Sequence, residues 1–84
     1  MHWNYRIVFM EDERWGDQWM ELREVFYNDA GEPIGHSSTT VIGDSLDDVA
    51  ECLRLMQEAV EKPVLKHADF IGKFVDLDKD EEKE

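Results

Sequence analysis

The stretch VIGDSLDDVAECLRLMQEAV, residues 41–60, decides the fold of this chain, because it joins a helix start signal to a regular apolar spacing. Ser45 occupies the N-cap position, and Asp48 three residues later completes an S-x-x-D capping pattern. Asp47 and Asp48 both belong to the first turn, where the helix dipole favours negative charge. The stretch therefore predicts a helix that begins directly after Ser45.

This predicted helix has one apolar side and one acidic side. Its apolar residues follow a 3–4–3–4 spacing that predicts a single stripe: Leu46, Val49, Leu53, Met56 and Val60. Its acidic residues are Asp47, Asp48, Glu51, Glu58 and Glu61. The helix is predicted to end near Lys62, because Pro63 disfavours the helical conformation of its predecessor. We expect the stripe to pack on a sheet and the acidic side to face outward.

Three segments before the helix have the composition of strands. Residues 5–10, YRIVFM, are rich in β-branched and aromatic side chains, and a turn is predicted at Gly16 and Asp17. Residues 34–43, IGHSSTTVIG, are predicted to form the last strand before the helix.

The run WMELREVFYN between those two segments fits two structures. Its alternation predicts a strand with Val25 and Tyr27 on one face, whereas Trp19, Leu22 and Phe26 would also share one side of a helix. The following NDAGEP is a turn sequence, and this flank favours a strand paired as a hairpin with the next one.

The order of these elements predicts an α+β fold: a three-stranded antiparallel sheet with one amphipathic helix packed on one face (β-β-β-α). Residues 64–75 fit either a short C-terminal helix from Lys66 or an edge strand at residues 70–75. A single domain is expected over residues 1–75, followed by an acidic disordered tail over residues 76–84.

The charge of the chain bears on its partners. Twenty-one acidic against nine basic residues give a net charge of −12, which disfavours nucleic acids and anionic membranes and favours a basic protein partner. The single cysteine, Cys52, excludes an intramolecular disulfide and fits a reducing compartment. Because the N-terminal sequence has neither a signal peptide nor a membrane span, a cytoplasmic location is expected.

No residue pattern indicates catalysis, a metal or a cofactor. Asp76, Asp78 and Asp80 alternate as in a calcium-binding EF-hand loop, but Glu81 occupies the position where that loop needs glycine. The histidines and Cys52 lack zinc-site spacing. Cys52 is predicted to be a half-buried small hydrophobe, and His36, among small polar residues of a strand, is predicted to lie on the sheet surface.

Trp15 is placed by the sequence in a polar loop between two strands. An exposed tryptophan there would be an anchor for a partner protein, and the alternative is that its ring folds back onto the edge of the small core.

The helix start GDSLDDVAECL resembles that of HicB-type antitoxins, in which strands lead through a Gly-Asp-Ser/Thr step into an acidic helix. The matching positions are Gly43, Asp44, Ser45, Leu46, Asp47, Asp48, Val49, Ala50 and Leu53, with Tyr5 and Ile7 resembling the opening strand. The resemblance implies a partial ribonuclease-H-like fold without an active site, which neutralises a small basic RNA-cleaving toxin by covering it. More loosely, REVFYNDAG, GDSLDD and EKPVL together resemble a family of small bacterial or phage proteins.

The chain departs from the antitoxin pattern in three respects. The segment EPIGHSSTTVIG replaces the family's Pro-and-Gly-Cys segment, and Gln57 occupies a position that is commonly apolar. No basic DNA-binding region follows the matching part.

These patterns predict a non-enzymatic acidic protein-binding module, an adaptor or inhibitor that covers a basic surface of its partner. The predicted binding residues are Trp15, Asp47, Asp48, Glu51, Glu58 and Glu61. The alternative is a homo-oligomeric structural protein such as a homodimer, because one helix is expected to leave one sheet face bare. A small enzyme is the least favoured class.

Overall fold

The structure of this chain, a computed structural model, describes residues 2–12 and 14–71. It confirms the predicted α+β order, with three strands preceding one helix. The elements are β1 (His2–Asp12), β2 (Asp17–Tyr27), β3 (Pro33–Ser37) and α1 (Leu46–Glu58), with 3₁₀ turns at Ala59–Glu61 and His67–Asp69. The tail predicted to be disordered, residues 76–84, lies outside the described residues.

The three strands form one antiparallel sheet in the order β1-β2-β3. Ile7 of β1 lies opposite Leu22 of β2, and Val25 of β2 lies opposite His36 of β3. Strand β3 is shorter than predicted: it ends at Ser37, and residues 38–45 connect it to the helix. Just beyond the end of β3, the Thr39 hydroxyl donates a hydrogen bond of 3.1 Å to the Glu24 carboxylate.

Both hairpin turns follow the residues that the sequence placed in them. The side-chain oxygen of Asn28 accepts hydrogen bonds from the backbone N–H groups of Ala30 and Glu32, at 3.0 and 2.9 Å. Gly31 in this turn and Gly16 in the β1–β2 turn have φ angles of +81° and +76°, a region that side chains with a Cβ rarely adopt. These turns fix the register of the sheet.

The two faces of the sheet are covered by different parts of the chain. Alternation along β1 and β2 directs Val8 and Val25 to one face, which we call the strap face, and Ile7 and Leu22 to the other, which we call the helix face because α1 packs there. The buried core cluster lies on the strap face and consists of Val8, Met10, Val25, Tyr27, Leu65 and Phe70.

Residues 65–71, which we call the strap, cross that face from one edge of the sheet to the other. At the β1 edge, the Leu65 N–H donates to the Ile7 carbonyl at 2.9 Å, and Leu65 accepts from the Phe9 N–H at 2.8 Å. At the β3 edge, the Ile71 N–H donates to the Pro33 carbonyl at 2.9 Å. Of the two predicted elements, the short helix is present as a 3₁₀ turn at His67–Asp69 with Lys66 as its N-cap, after a one-residue parallel bridge at Leu65. The alternative edge strand at residues 70–75 lies mostly outside the described residues.

The strap corrects two expectations from the sequence. His36 was predicted to lie on the sheet surface, but it is fully buried, with the edge of its ring against Phe70 at a centroid distance of 5.4 Å. The sheet face that was expected to be bare is the strap face, and it carries the core cluster. Both corrections have one cause, because the strap covers the side of the sheet opposite the helix.

The predicted start of the helix is confirmed in its local geometry. The Asp48 N–H donates to the Ser45 side-chain oxygen at 3.2 Å, and Ser45 has the extended backbone of an N-cap residue. The α-helix ends at Glu58, its last turn tightens into 3₁₀ geometry, and Lys62 has extended backbone angles, as the following proline requires.

Gly43 lies so close to the first turn of α1 that a side chain there would collide with it. A Cβ added at Gly43 would lie 2.5 Å from the Asp48 Cβ and 2.8 Å from the Val49 backbone nitrogen. Because the second atom belongs to the helix backbone, Gly43→Ala is expected to displace the helix and lower the free energy of unfolding by about 1–2 kcal/mol. Urea denaturation followed by circular dichroism measures this loss, and an unchanged midpoint would contradict the close packing.

Candidate protein-binding site

The helix contacts the sheet through one narrow row of side chains. Met56 and Ala59 are buried, and Cys52, one turn earlier, is half-buried as predicted. The Cys52 sulfur lies 3.7 Å from the Tyr5 hydroxyl on the helix face. This hydrogen bond, followed by burial, raises the pKa of Tyr5 above its ordinary value, because both favour the neutral phenol. The contact row is therefore Cys52, Met56 and Ala59.

The apolar stripe that was predicted to face the sheet lies largely in solvent. Leu46 is 83% exposed, Leu53 52% and Val60 64%. Along the helix, Leu53 is one residue away from Cys52, and one residue is a rotation of about 100°. The helix is thus turned so that, within the predicted stripe, Met56 is buried and Val49 half-buried, while Leu46, Leu53 and Val60 stand beside the contact row.

A groove opens between this exposed row and the sheet. It is lined by Ile7, Leu22, Val41, Leu53, Met56 and Val60, with Gln57 as its polar member. Ile7 and Leu22 form its floor on the helix face, and its volume is about 340 Å³. We call it the helix–sheet groove.

The strands are also much longer than the helix. Strands β1 and β2 have 11 residues each, a length of about 37 Å, whereas the 13 residues of α1 span about 20 Å. Part of the helix face therefore stays uncovered, and Met20, on the same face of β2 as Leu22, is 65% exposed. Exposed apolar surface of this kind is typical of protein-binding sites.

The acidic residues of α1 and its 3₁₀ extension are all exposed, as predicted, but they are not electrostatically equivalent. Arg54 bridges Glu51 at 2.6 Å and Glu58 at 2.8 Å. The Arg54 guanidinium, chiefly through its hydrogen bond, lowers the pKa of Glu51. Asp47, Asp48 and Glu61 take part in no salt bridge within the described part of the chain, so they carry the negative charge that a partner would meet.

Trp15 does not belong to the same surface as the acidic helix. It is 71% exposed in the turn between β1 and β2, so its ring is not folded back onto the core. Strand β1 continues from Ile7 in the groove floor to Asp12 before this turn, a distance of about 17 Å. The structure brings the five predicted acidic residues together on α1 and its extension and leaves Trp15 at the tip of the hairpin.

The strap face holds a polar network that the sequence did not indicate. The Arg23 Nε donates to the Nδ1 atom of His36 at 3.1 Å, and Arg23 also bridges Glu21 at 2.7 Å. Trp19 donates to the other oxygen of Glu21 at 2.9 Å. Because Arg23 and His36 are buried, we assign this network a structural role.

Metal sites and membrane spans were searched for within residues 2–12 and 14–71. No group of three or more histidine, cysteine or acidic side chains there has an arrangement suited to holding a metal ion. No helix in this part of the chain has the length and apolar character needed to cross a membrane.

Comparison of this chain with family models, with curated proteins and with solved structures finds no match. The resemblance to HicB-type antitoxins therefore stays a prediction from the helix start.

The sequence contained a signal for the groove that the single-stripe interpretation passed over. Cys52, Met56 and Ala59 recur at four and three residues, and Leu46, Leu53 and Val60 recur at seven. The two rows together are wider than one contact with a sheet requires. The sequence therefore shows more apolar surface on this helix than the sheet can bury.

Proposed function

We propose that this chain is a non-enzymatic protein-binding module, an adaptor or inhibitor that covers a basic surface of a partner protein. The observation that carries the proposal is the exposed apolar row of α1 and its 3₁₀ extension, at Leu46, Leu53 and Val60, beside acidic residues of the same two elements. Burial of apolar side chains supplies most of the binding affinity of such a surface. Acidic side chains at its edge speed the approach of a basic partner and disfavour acidic ones.

Charge supports a basic partner over the other classes. The chain carries −12, and in residues 46–61 Arg54 is the single basic side chain. A surface of this sign repels phosphate groups, so nucleic acids and anionic membranes are disfavoured as partners. Neutralisation of a basic toxin, which the antitoxin resemblance implies, is one case of this function. A cytoplasmic location and a bacterial or phage source stay predictions.

The test is affinity capture from an extract of the source cells, at low and high salt, with mass spectrometry of the retained proteins. A basic protein held at low salt and released at high salt is the expected result, because ionic screening shortens the range of the attraction. A matched pair of variants separates local from overall charge. Asp47→Asn with Glu61→Gln removes two charges from the helix, and Glu11→Gln with Asp17→Asn removes two from the far part of the hairpin.

We expect the helix variant to retain the same partner about threefold to tenfold less at low salt, and the hairpin variant to bind as the unchanged chain does. Equal losses in both variants would mean that net charge alone attracts the partner. Capture of no basic protein at either salt concentration would contradict the proposed function.

A further inference from the structure

The exposed row of α1 has the spacing by which one helix packs along another. Leu46, Leu53 and Val60 are seven residues apart, and Val49 and Met56 complete a repeat of three and four. Such a repeat forms a seam along which a second helix can pack. Met56 is buried against the sheet and Val49 is half-buried, so Leu46, Leu53 and Val60 are the side of the seam that faces outward. The three residues at seven-residue spacing are 52–83% exposed, so nothing in the described part of the chain fills this side of the seam.

The sheet beside the seam offers a second surface to the same occupant. Ile7 and Leu22 form the floor of the helix–sheet groove, and Leu53 and Val60 form its wall. Helices that pack side by side have axes about 8–10 Å apart, so a helix beside α1 would also contact this floor. Ala50 and Gln57 lie next to the exposed row in the helical repeat, and neither brings a charge into the contact.

The charge beside the groove favours a different protein over a second copy of this chain as the molecule that binds there. Asp47 and Glu61 lie beyond Ala50 and Gln57 in the helical repeat, on the outer flank of the seam. Arg54 lies between them at the same position of the repeat, where Glu51 and Glu58 pair with its charge, so the flank stays acidic. A second copy would bring −12 against −12 and acidic flanks against acidic flanks, which opposes association. Lysine or arginine residues on the flanks of a partner helix would face opposite charge instead.

We infer that the helix–sheet groove binds an amphipathic helix of a partner protein, whose apolar heptad stripe packs on Leu53 and Val60 and whose lysine or arginine residues face Asp47 and Glu61. This inference rests on the proposed function and adds to it the place of binding and the class of ligand. The partner helix would form a second helical layer beside α1 on the sheet.

The test uses three synthetic three-heptad peptides and the whole chain. The first peptide has leucine at the two seam positions and lysine at the flanking positions. The second has the same composition with its leucines scattered around the helix, and the third has glutamate in place of lysine. Affinity is measured by calorimetry at about 50 mM and about 500 mM salt, since screening is weak at the first and strong at the second. Amide chemical shifts in the chain locate the bound peptide.

Two variants on the same helix locate the contact. Leu53→Ser with Val60→Ser truncates two exposed groove residues, and Leu55→Ser truncates an exposed leucine that points toward Trp3 on the other side of α1. We expect the striped lysine peptide to bind at least about tenfold more tightly than the scattered one, and to lose at least about tenfold in the groove variant only. Circular dichroism checks that both variants remain folded.

The other outcomes overturn the inference in distinguishable ways. Equal affinity for the striped and scattered lysine peptides would show that charge alone attracts the peptides and that the groove does not bind them. The proposed function would survive that result. Dimerisation of the chain that strengthens with salt and disappears in the groove variant would assign the groove to a second copy. The groove would not be a helix-binding site if the amide chemical shifts changed only at residues outside it, or if the striped peptide did not bind. Either result would hold independently of the affinity capture that tests the proposed function.

Discussion

Replacing Phe70 with alanine is expected to lower the free energy of unfolding by about 3–5 kcal/mol. Phe70 is only 5% exposed and belongs to the core cluster under the strap, where its ring also packs against the buried His36. A loss of this size is a large part of the stability of an ordinary domain, about 5–15 kcal/mol. The measurement is urea denaturation followed by circular dichroism and by tryptophan fluorescence.

The control for Phe70 is its neighbour on the strap. Ile71→Ala changes a side chain that is 50% exposed and keeps the backbone N–H that binds Pro33, so a loss of about 1 kcal/mol or less is expected. If Phe70→Ala cost no more than Ile71→Ala, the strap would not cover the sheet. The comparison thus tests whether the main core lies opposite the helix, which is the least expected feature of this fold.

The helix and the hairpins could be predicted because their signals are local. The Ser45 cap, the stop at Pro63 and the turn glycine Gly31 each act within a few residues, and each has the predicted role in the structure. The strap could not be predicted, because its pairing joins Leu65 to Ile7 and Ile71 to Pro33 across long separations in sequence. No local pattern at residues 64–71 specifies those partners.

The burial of His36 escaped sequence reasoning for the same reason. Its neighbours in β3 are small and polar, which favours an exposed position when only the strand is considered. Its burial is decided by Phe70 on the strap and by Arg23 on the neighbouring strand.

The candidate site was predictable only in its charged half. The acidic side of α1 follows from the sequence, since residues that alternate with an apolar stripe on a helix face the solvent. Which apolar row contacts the sheet depends on the rotation of the helix about its axis, and that rotation is set by packing. The contact row of Met56 and Ala59 leaves Leu53 and Val60 exposed, so the helix both stabilises the sheet and presents apolar side chains to solvent.

Substitution of Arg23 by methionine is expected to cost about 2–3 kcal/mol, because the buried His36 Nδ1 atom would lose its donor and methionine cannot replace it. Glu21, which also binds Arg23, keeps 37% of its side chain in solvent, so its share of the loss is small. The same change at Arg54 gives the matched control. Arg54 also bridges carboxylates, but its side chain is 56% exposed, and exposed ion pairs contribute about 0–1 kcal/mol.

Chemical denaturation of both variants, at low and high salt, measures the difference. We expect the loss at Arg23 to be nearly independent of salt, since its partner His36 is screened from water, and the small loss at Arg54 to vanish at high salt. Equal losses at the two positions would mean that the network on the strap face is not shielded as the structure shows. A double substitution of Arg23→Met with His36→Leu tests the pairing directly: it should cost less than the sum of the single changes, because once both polar partners are removed no buried acceptor is left unsatisfied.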